Sequence, residues 1–320
     1  MSDLARPDVV TVTLNPAIDL TVTLDRFVVG AVQRARAAVS TCGGKGINVA
    51  GCLADWGTRV AATGVLGRSN DGAFADFFAG KGIADRFVRT PGETRTNIKI
   101  ADLAAGDTTD VNLPGLMVSE GTFDAVRATL MSLVAPGRPV VLAGSLPESL
   151  SEAAWALLVG DLTRTGARVV LDTSGAPLAA TLAAGHPLHA VKPNRAELEA
   201  LLGRTLPTTA DLVAAARELL ARGIALVVVS LGAEGALFVD RDTAIAARLP
   251  AKTVLSTVGA GDAMVAGLVA ALVEGAALDR LARLSVAFAT SKLDRIGPHL
   301  GPTADVERLA ASVLLTETGI

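Results

Sequence analysis

The 320-residue sequence contains no tyrosine, two cysteines and three histidines, and aromatic residues make up only 3% of it. Nucleic-acid surfaces draw on a basic stripe or on aromatic stacking platforms. The formal net charge is −3, with acidic and basic residues interspersed, so no nucleic-acid partner is expected and a small molecule is. Cys42 and Cys52 form no CxxC pair and stand near no histidine, which removes a zinc site and a disulfide framework. Cys42 lies beside a glycine loop and reads as a small residue filling space. Although half of the residues are hydrophobic, no apolar run approaches the roughly 18–20 residues needed to span a bilayer, and no membrane association is expected. Met1 to Arg6 shows no basic stretch leading into an apolar core, so nothing there marks export and a cytoplasmic location is expected. The GxxxxGK[ST] phosphate loop is absent as well. The glycine turn at Gly259 lacks the last glycine of GxGxxG, because Met264 stands there, which disfavours a nicotinamide dehydrogenase.

What is present is an alternation of short apolar runs with helical periodicity. Val9 to Leu14, Val60 to Leu66, Val140 to Ala143, Arg168 to Leu171 and Ala225 to Ser230 read as buried strands. Gly46 to Trp56, Asp71 to Lys81, Phe123 to Leu133, Ser151 to Thr165, Asp211 to Arg222 and Ala263 to Glu274 read as helices, as does the Ala-rich tract Leu178 to Ala184. This pattern predicts an α/β fold with a mainly parallel sheet covered on both faces. Leu20 to Leu24 and Thr94 to Ile100, the latter followed by a turn near Gly106 and by Val111 and Leu113, alternate with period two instead. They predict a small antiparallel flap assembled from distant parts of the chain, whose apolar face would favour dimer formation.

The strongest local signal is Ser256 to Met264, in which Gly259-Ala260-Gly261-Asp262 leads directly into an apolar helix. Glycines let backbone N–H groups turn toward one point, and a helix start adds free donors, which together make an anion site. An acid in such a site needs a reason. Asp262 reads equally as a general base toward a hydroxyl or as a plain helix cap. A second loop, Cys42 to Asn48, also opens a helix; Lys45 offers a point charge for phosphate and Asn48 both donates and accepts. Its three glycines suggest close approach of a ligand rather than any packing purpose. Asp19 reads by itself as a turn residue. The loops at Gly144-Ser145 and Lys192 to Glu197 follow predicted strands at the carboxyl edge where open α/β sheets bind ligands, and Asn194 with Glu197 also fits a helix capping box.

Taken in order, Asn15 to Asp19, Gly43 to Asn48, Gly92 to Ile100, Ser230 to Gly235 and the turn before Asp262 resemble the ribokinase-like carbohydrate kinases over most of the chain. The resemblance implies a three-layer α/β/α sandwich spanning residues 1–320 as one kinase domain, with a discontinuous β lid over roughly 19–40 and 93–114. It is nearest to bacterial members that move the γ-phosphoryl group of ATP to the 6-hydroxyl of fructose 1-phosphate. Members acting on tagatose 6-phosphate or fructose 6-phosphate are the alternatives, and a non-catalytic sugar- or nucleotide-binding regulator is the alternative of another class. By the same resemblance Asp262 is the base, and Gly259, Ala260 and Gly261 are the anion hole. Asp19, Gly43, Gly44 and Asn48 hold the sugar, with Ser145; Lys45, Arg95, Lys99 and Arg34 lie near its phosphate. Lys192, Asn194, Ser230, Gly232, Gly235 and Thr257 belong to the ATP side, and Glu197 to Mg2+ through water. The lid also implies a homodimer.

Overall fold

Successive residues of a strand point to opposite faces of its sheet, so a strand apolar at every position must be covered on both sides. That is the condition of the central strands here. In chain order the strands are β1 (Val9–Thr13), β2 (Ala17–Leu24), β3 (Ala37–Gly43), β4 (Val60–Gly67), β5 (Ala84–Asp85), β6 (Val88–Thr90), β7 (Thr96–Asp102), β8 (Asp107–Val111), β9 (Pro139–Ala143), β10 (Arg168–Asp172), β11 (Leu188–Val191), β12 (Ile224–Ser230), β13 (Ala236–Val239), β14 (Ala244–Arg248) and β15 (Leu314–Glu317). The helices are α1 (Lys45–Asp55), α2 (Gly72–Lys81), α3 (Glu120–Leu133), α4 (Ala154–Arg164), α5 (Gly175–Ala183), α6 (Arg195–Leu202), α7 (Thr209–Leu220), α8 (Ala260–Glu274), α9 (Leu278–Lys292) and α10 (Thr303–Ser312). The structure is a computed structural model describing residues 7–318; the absence of an export signal, read at Met1 to Arg6, lies outside the described residues.

The large sheet runs β15-β14-β13-β12-β11-β10-β9-β1-β4-β5, with β6 also paired to β4. Every pair from β12 to β4 is parallel, and β13 to β15 extend the sheet antiparallel. Alternate residues feed two cores. Val9, Val141, Val170 and Val228 pack with Ile47, Phe74, Val265 and Phe288 on one face. Val10, Val140, Leu171 and Val229 pack with Leu130, Trp155, Leu198 and Leu212 on the other. This is the expected three-layer α/β/α arrangement. Among the described residues no helix is long and apolar enough to cross a membrane.

The second sheet has the order β3-β2-β7-β8. Its two hairpins, β2–β3 and β7–β8, are antiparallel as expected. The central β2–β7 pair joining them is parallel, which the period-two pattern does not anticipate. The cause is topological. β2 follows the carboxyl end of β1 and β7 follows β6, so both strands leave the large sheet from the same edge and travel in the same direction.

That carboxyl edge positions the site. β1, β9, β10, β11 and β12 end there at Thr13, Ala143, Asp172, Val191 and Ser230, and strand order reverses between β1 and β9. The loops leaving neighbouring strands diverge at such a point and open a crevice.

Candidate active site

Gly259 is the N-cap of α8 with φ 81°, a left-handed conformation in which a side chain is strained. The Ala260 N–H donates to the Thr257 carbonyl at 3.2 Å, closing the turn. The amides that follow belong to the first turn, whose donors have no acceptor within the helix. From Asp262 to Leu272 every residue of α8 is buried, so the core holds the turn in place.

Asp262 makes no cap to its own helix. Its Oδ2 instead accepts a 2.7 Å hydrogen bond from Asn48 Nδ2 of α1, across 214 residues of sequence. The capping alternative is therefore not the one the structure adopts. Burial raises the Asp262 carboxyl to a pKa of about 6, and the Asp172 carboxylate pushes in the same direction. The Asn48 hydrogen bond, Lys45 and Lys192 oppose the rise.

The second glycine loop corrects an expectation. Gly43, Gly44 and Gly46 do serve packing. A Cβ on Gly46 would lie 2.5 Å from Thr13 Oγ1 and 2.6 Å from the Val12 carbonyl oxygen, and one on Gly43 would lie 2.6 Å from Asp19 Oδ2. Gly44, at φ 123°, would press on Thr13 Cγ2 at 2.8 Å. The loop is glycine-rich because α1 starts flush against β1, which presents Lys45 and Asn48 to the crevice.

A polar cavity of about 260 Å³ lies between this loop and the small sheet, lined by Asp19, Gly44, Lys45, Asn48, Arg95, Asn97, Lys99 and Ser145 among others. Asp19 accepts from Asn97 Nδ2 at 3.2 Å. Burial raises its pKa, against the opposing effects of Lys99, Asn97 and Arg95. The Arg95 guanidinium donates to the backbone carbonyls of Leu113, Asn15 and Pro16, and Lys99 Nζ lies 3.2 Å from Asp110 Oδ1. Ser145 Oγ accepts from Asn15 Nδ2 at 3.1 Å. Arg34 is not brought to this group. It sits exposed in the segment joining β2 to β3, beside the exposed Val32, and lines none of the cavities described here. The hairpin carries its tip away from the core, so no part of the same chain folds Arg34 back.

A second cavity, of about 600 Å³, lies on the other side of the turn. Asn194, Ser230, Gly232, Gly235, Thr257, Ala260 and Gly261 line it, with Leu249, Val254, Met264, Val286 and Leu293 as apolar walls. Lys192 stands between the two cavities: it is 6% exposed, and a Cβ on Gly261 would be 3.5 Å from its Nζ. Gly43, buried behind Asp19, supports the polar cavity without lining it.

Asn194 and Glu197 form the capping box of α6 in full, Oδ1 accepting from the Glu197 amide and Oε2 from the Asn194 amide, each at 2.8 Å. One carboxylate oxygen of Glu197 is therefore spent on the helix. Among the described residues no three His, Cys, Asp or Glu side chains are grouped to hold a metal ion. The other Glu197 carboxylate oxygen takes no part in the capping box, and a single carboxylate suits an ion that keeps its waters, as Mg2+ does.

Two side chains, Asp172 and Lys292, escaped sequence reasoning, and a third, Asn97, was noted there without a role. Asp172, 1% exposed, ends β10, and its Oδ1 meets Lys45 Nζ at 3.1 Å and Lys192 Nζ at 3.4 Å. The signal available was an acid directly after a buried strand. Asn97 faces Asp19 from the small sheet. Lys292, at the end of α9, is 2% exposed and nothing in its apolar helical context marks it.

The profile described as pfkB family carbohydrate kinase matches residues 12–303. A 1-phosphofructokinase of Xanthomonas campestris pv. campestris is 54% identical over 309 residues, covering 96% of this chain and 97% of its own. A 1-phosphofructokinase of Rhodobacter capsulatus is 49% identical over 304 residues, covering 95% of each. Among solved structures, phosphofructokinase-2 from Escherichia coli in complex with fructose-6-phosphate superposes with a TM-score of 0.87 at 30% identity, covering 95% of this chain and 98% of that one. The same Escherichia coli protein is also known in a tetrameric inhibited form.

Proposed function

Because the chain belongs to the pfkB family of carbohydrate kinases, we propose that it transfers the γ-phosphoryl group of ATP to the 6-hydroxyl of fructose 1-phosphate, giving fructose 1,6-bisphosphate and ADP. The chain is a sugar-phosphate kinase. The observation that carries the chemical reading is the place of Asp262, a buried carboxylate on the turn whose Gly259 faces the sugar side and whose Gly261 faces the nucleotide side. The choice of sugar rests on the near full-length likeness to proteins named 1-phosphofructokinase.

In this reading the sugar phosphate occupies the polar cavity, with Asp19, Asn48 and Ser145 toward its hydroxyls and Lys45, Arg95 and Lys99 toward its phosphate. ATP occupies the larger cavity, its base against the apolar walls. Asp262 takes the proton of the 6-hydroxyl as that oxygen bonds to the γ-phosphorus. The bond from the γ-phosphorus to its bridging oxygen breaks, and the electron pair leaves with ADP. Asn48 fixes which carboxylate oxygen faces the hydroxyl, and the amides of the turn receive charge from the moving phosphoryl group. Mg2+, when bound, would neutralise the two adjoining polyanions, and Glu197 would hold it through water.

The assay supplies ATP, magnesium and, in parallel, fructose 1-phosphate, fructose 6-phosphate or tagatose 6-phosphate, and follows ADP. Fructose 1-phosphate is expected to turn over fastest; a clear preference for either 6-phosphate overturns the assignment. The pH dependence follows from Asp262, which must be ionised to accept a proton. Log kcat/KM is expected to rise with unit slope below pH about 6 and to level above it. A profile flat from about pH 5 to 7 would remove Asp262 as the base.

The small sheet also supports a homodimer. It exposes Val39 and Val111, and the segment joining β2 to β3 exposes Val28, Val29 and Val32. Sedimentation is expected to give twice the mass of one chain, and charged substitutions at Val29 and Val32 to halve it. A monomeric wild type is the opposing result.

A further inference from the structure

Most buried or half-buried ammonium groups near the turn are matched by a carboxylate. Lys45 and Lys192 share Asp172, and Lys81 has Asp55. Lys292 is the exception: among the described residues it forms no ion pair, and its Nζ donates to the Arg295 carbonyl at 2.8 Å. An ammonium withdrawn from water without a counter-ion costs several kcal/mol. Burial accordingly pulls its pKa down, with the Cys52 thiol, Asp262 and Asp294 acting the other way. A methionine would fill the same space at no such cost. The position at the C-terminus of α9, where the helix dipole is negative, offsets only part of it.

The surroundings point to what the charge supports. A Cβ placed on Gly259 would lie 3.5 Å from Lys292 Cε, 3.8 Å from Asp262 Oδ2 and 3.9 Å from Asn48 Nδ2. The lysine stem thus underlies the turn on the side where Asp262 and Asn48 meet. The next residue acts on the same loop, since the amides of Leu255 and Ser256 donate to the Leu293 carbonyl at 2.7 and 3.2 Å. Lys292 also borders a pocket of about 50 Å³ with Asp19, Asn48, Lys99 and Gly259, which continues the sugar side of the site.

We infer that Lys292 is a positioning residue for phosphoryl transfer, its buried ammonium group holding the Gly259–Asp262 turn in register beneath the amides that receive phosphoryl charge. The inference rests on the role proposed for that turn. A fixed charge in a water-excluded site is worth more than the same charge in solvent and needs no rearrangement as the reaction proceeds. Because its Nζ is held by the Arg295 carbonyl and its stem lies under Gly259, it acts through the turn, and its contribution belongs to kcat.

The test uses the full chain. Lys292→Ala is expected to lower kcat about 100-fold while the KM values for ATP and fructose 1-phosphate stay within about threefold. The void left by the side chain opens on the small pocket, so ammonium chloride is expected to restore at least about tenfold of the lost rate, and tetramethylammonium at equal ionic strength to restore none. Lys292→Gln keeps an N–H donor for the Arg295 carbonyl without the charge. It is expected to lose kcat like the alanine variant, and it carries the test if the alanine variant does not fold. A folded variant of either kind with kcat within threefold of wild type, or an alanine variant whose loss ammonium leaves unchanged, overturns the inference. Failure of the turn itself would show differently, as an active Asp262→Asn enzyme.

Discussion

Asp262→Asn is expected to lower kcat by about 10²–10⁴-fold while leaving substrate affinity within a few-fold, because the amide keeps the shape and cannot take a proton. The geometry survives because the Asn48 Nδ2 donor that now reaches Asp262 Oδ2 at 2.7 Å can be accepted by an amide oxygen in its place. The same substitution is expected to stabilise the fold. The carboxyl is 7% exposed, and its pKa in the folded protein, about 6, is raised above the ordinary value of 3.8. A group raised in this way contributes its stability below pH 3.8 and loses it as pH rises through about 6. At pH 8 the folded wild type therefore carries a cost of up to about 3 kcal/mol that the asparagine variant lacks. Urea denaturation at pH 8 and pH 4 separates the two: the variant should be more stable at the first and show little advantage at the second. Near-normal kcat would remove Asp262 from its role, and equal stability at both pH values would contradict the cause given for its raised pKa.

Asp172→Leu is expected to cost about 3–5 kcal/mol of stability, since one substitution strips two ammonium groups of their counter-ion. Lys192, at 6% exposure, has no solvent to turn to, whereas the Lys45 side chain is 35% exposed and can partly escape. The loss is therefore centred on Lys192, and Lys192→Met added to the Asp172→Leu protein should recover much of it. Additive losses in the double variant would show that Asp172 does not act through that pair. Asp172 also raises the Asp262 pKa. Asp172→Asn, which keeps the shape, should move the acidic limb of the rate profile below its wild-type position. A limb that stays in place would show that the two carboxylates are not coupled.

Asp262, Asp172, Lys45, Lys192 and Lys292 gather charge of both signs at the head of a sheet that is otherwise apolar through its thickness. This arrangement explains why the Asp262 carboxyl, buried and facing the Asp172 carboxylate, is raised well above the ordinary carboxylate range. The pairing also divides the cations by use. Those bound to Asp172 bridge the polar cavity and the Gly261 side of the turn, and the one without a carboxylate lies behind the turn.

What could be read from the chain alone follows from short-range rules. Unbroken apolar runs such as Val60 to Leu66 specify strands buried on both faces, and glycine before an apolar helix specifies a turn with free amides, whatever surrounds them. The covered parallel sheet and the anion-binding turn were legible for that reason, and the kinase family was legible from the resemblance carried by five segments taken in order. The turn by itself left Asp262 an even choice between cap and base, which only the resemblance tipped, because the partner that its carboxylate meets, Asn48, is 214 residues away. Asp172 and Lys292 were invisible because a charged residue at a strand or helix end is ordinary until burial removes its water. Packing likewise gave the Gly43 to Gly46 loop a second purpose, a parallel centre to the small sheet, and an Arg34 left outside the site. Local spacing determines which residues can do chemistry; only the tertiary structure decides which charges lose their solvent and against which partners, and that desolvation sets their reactivity.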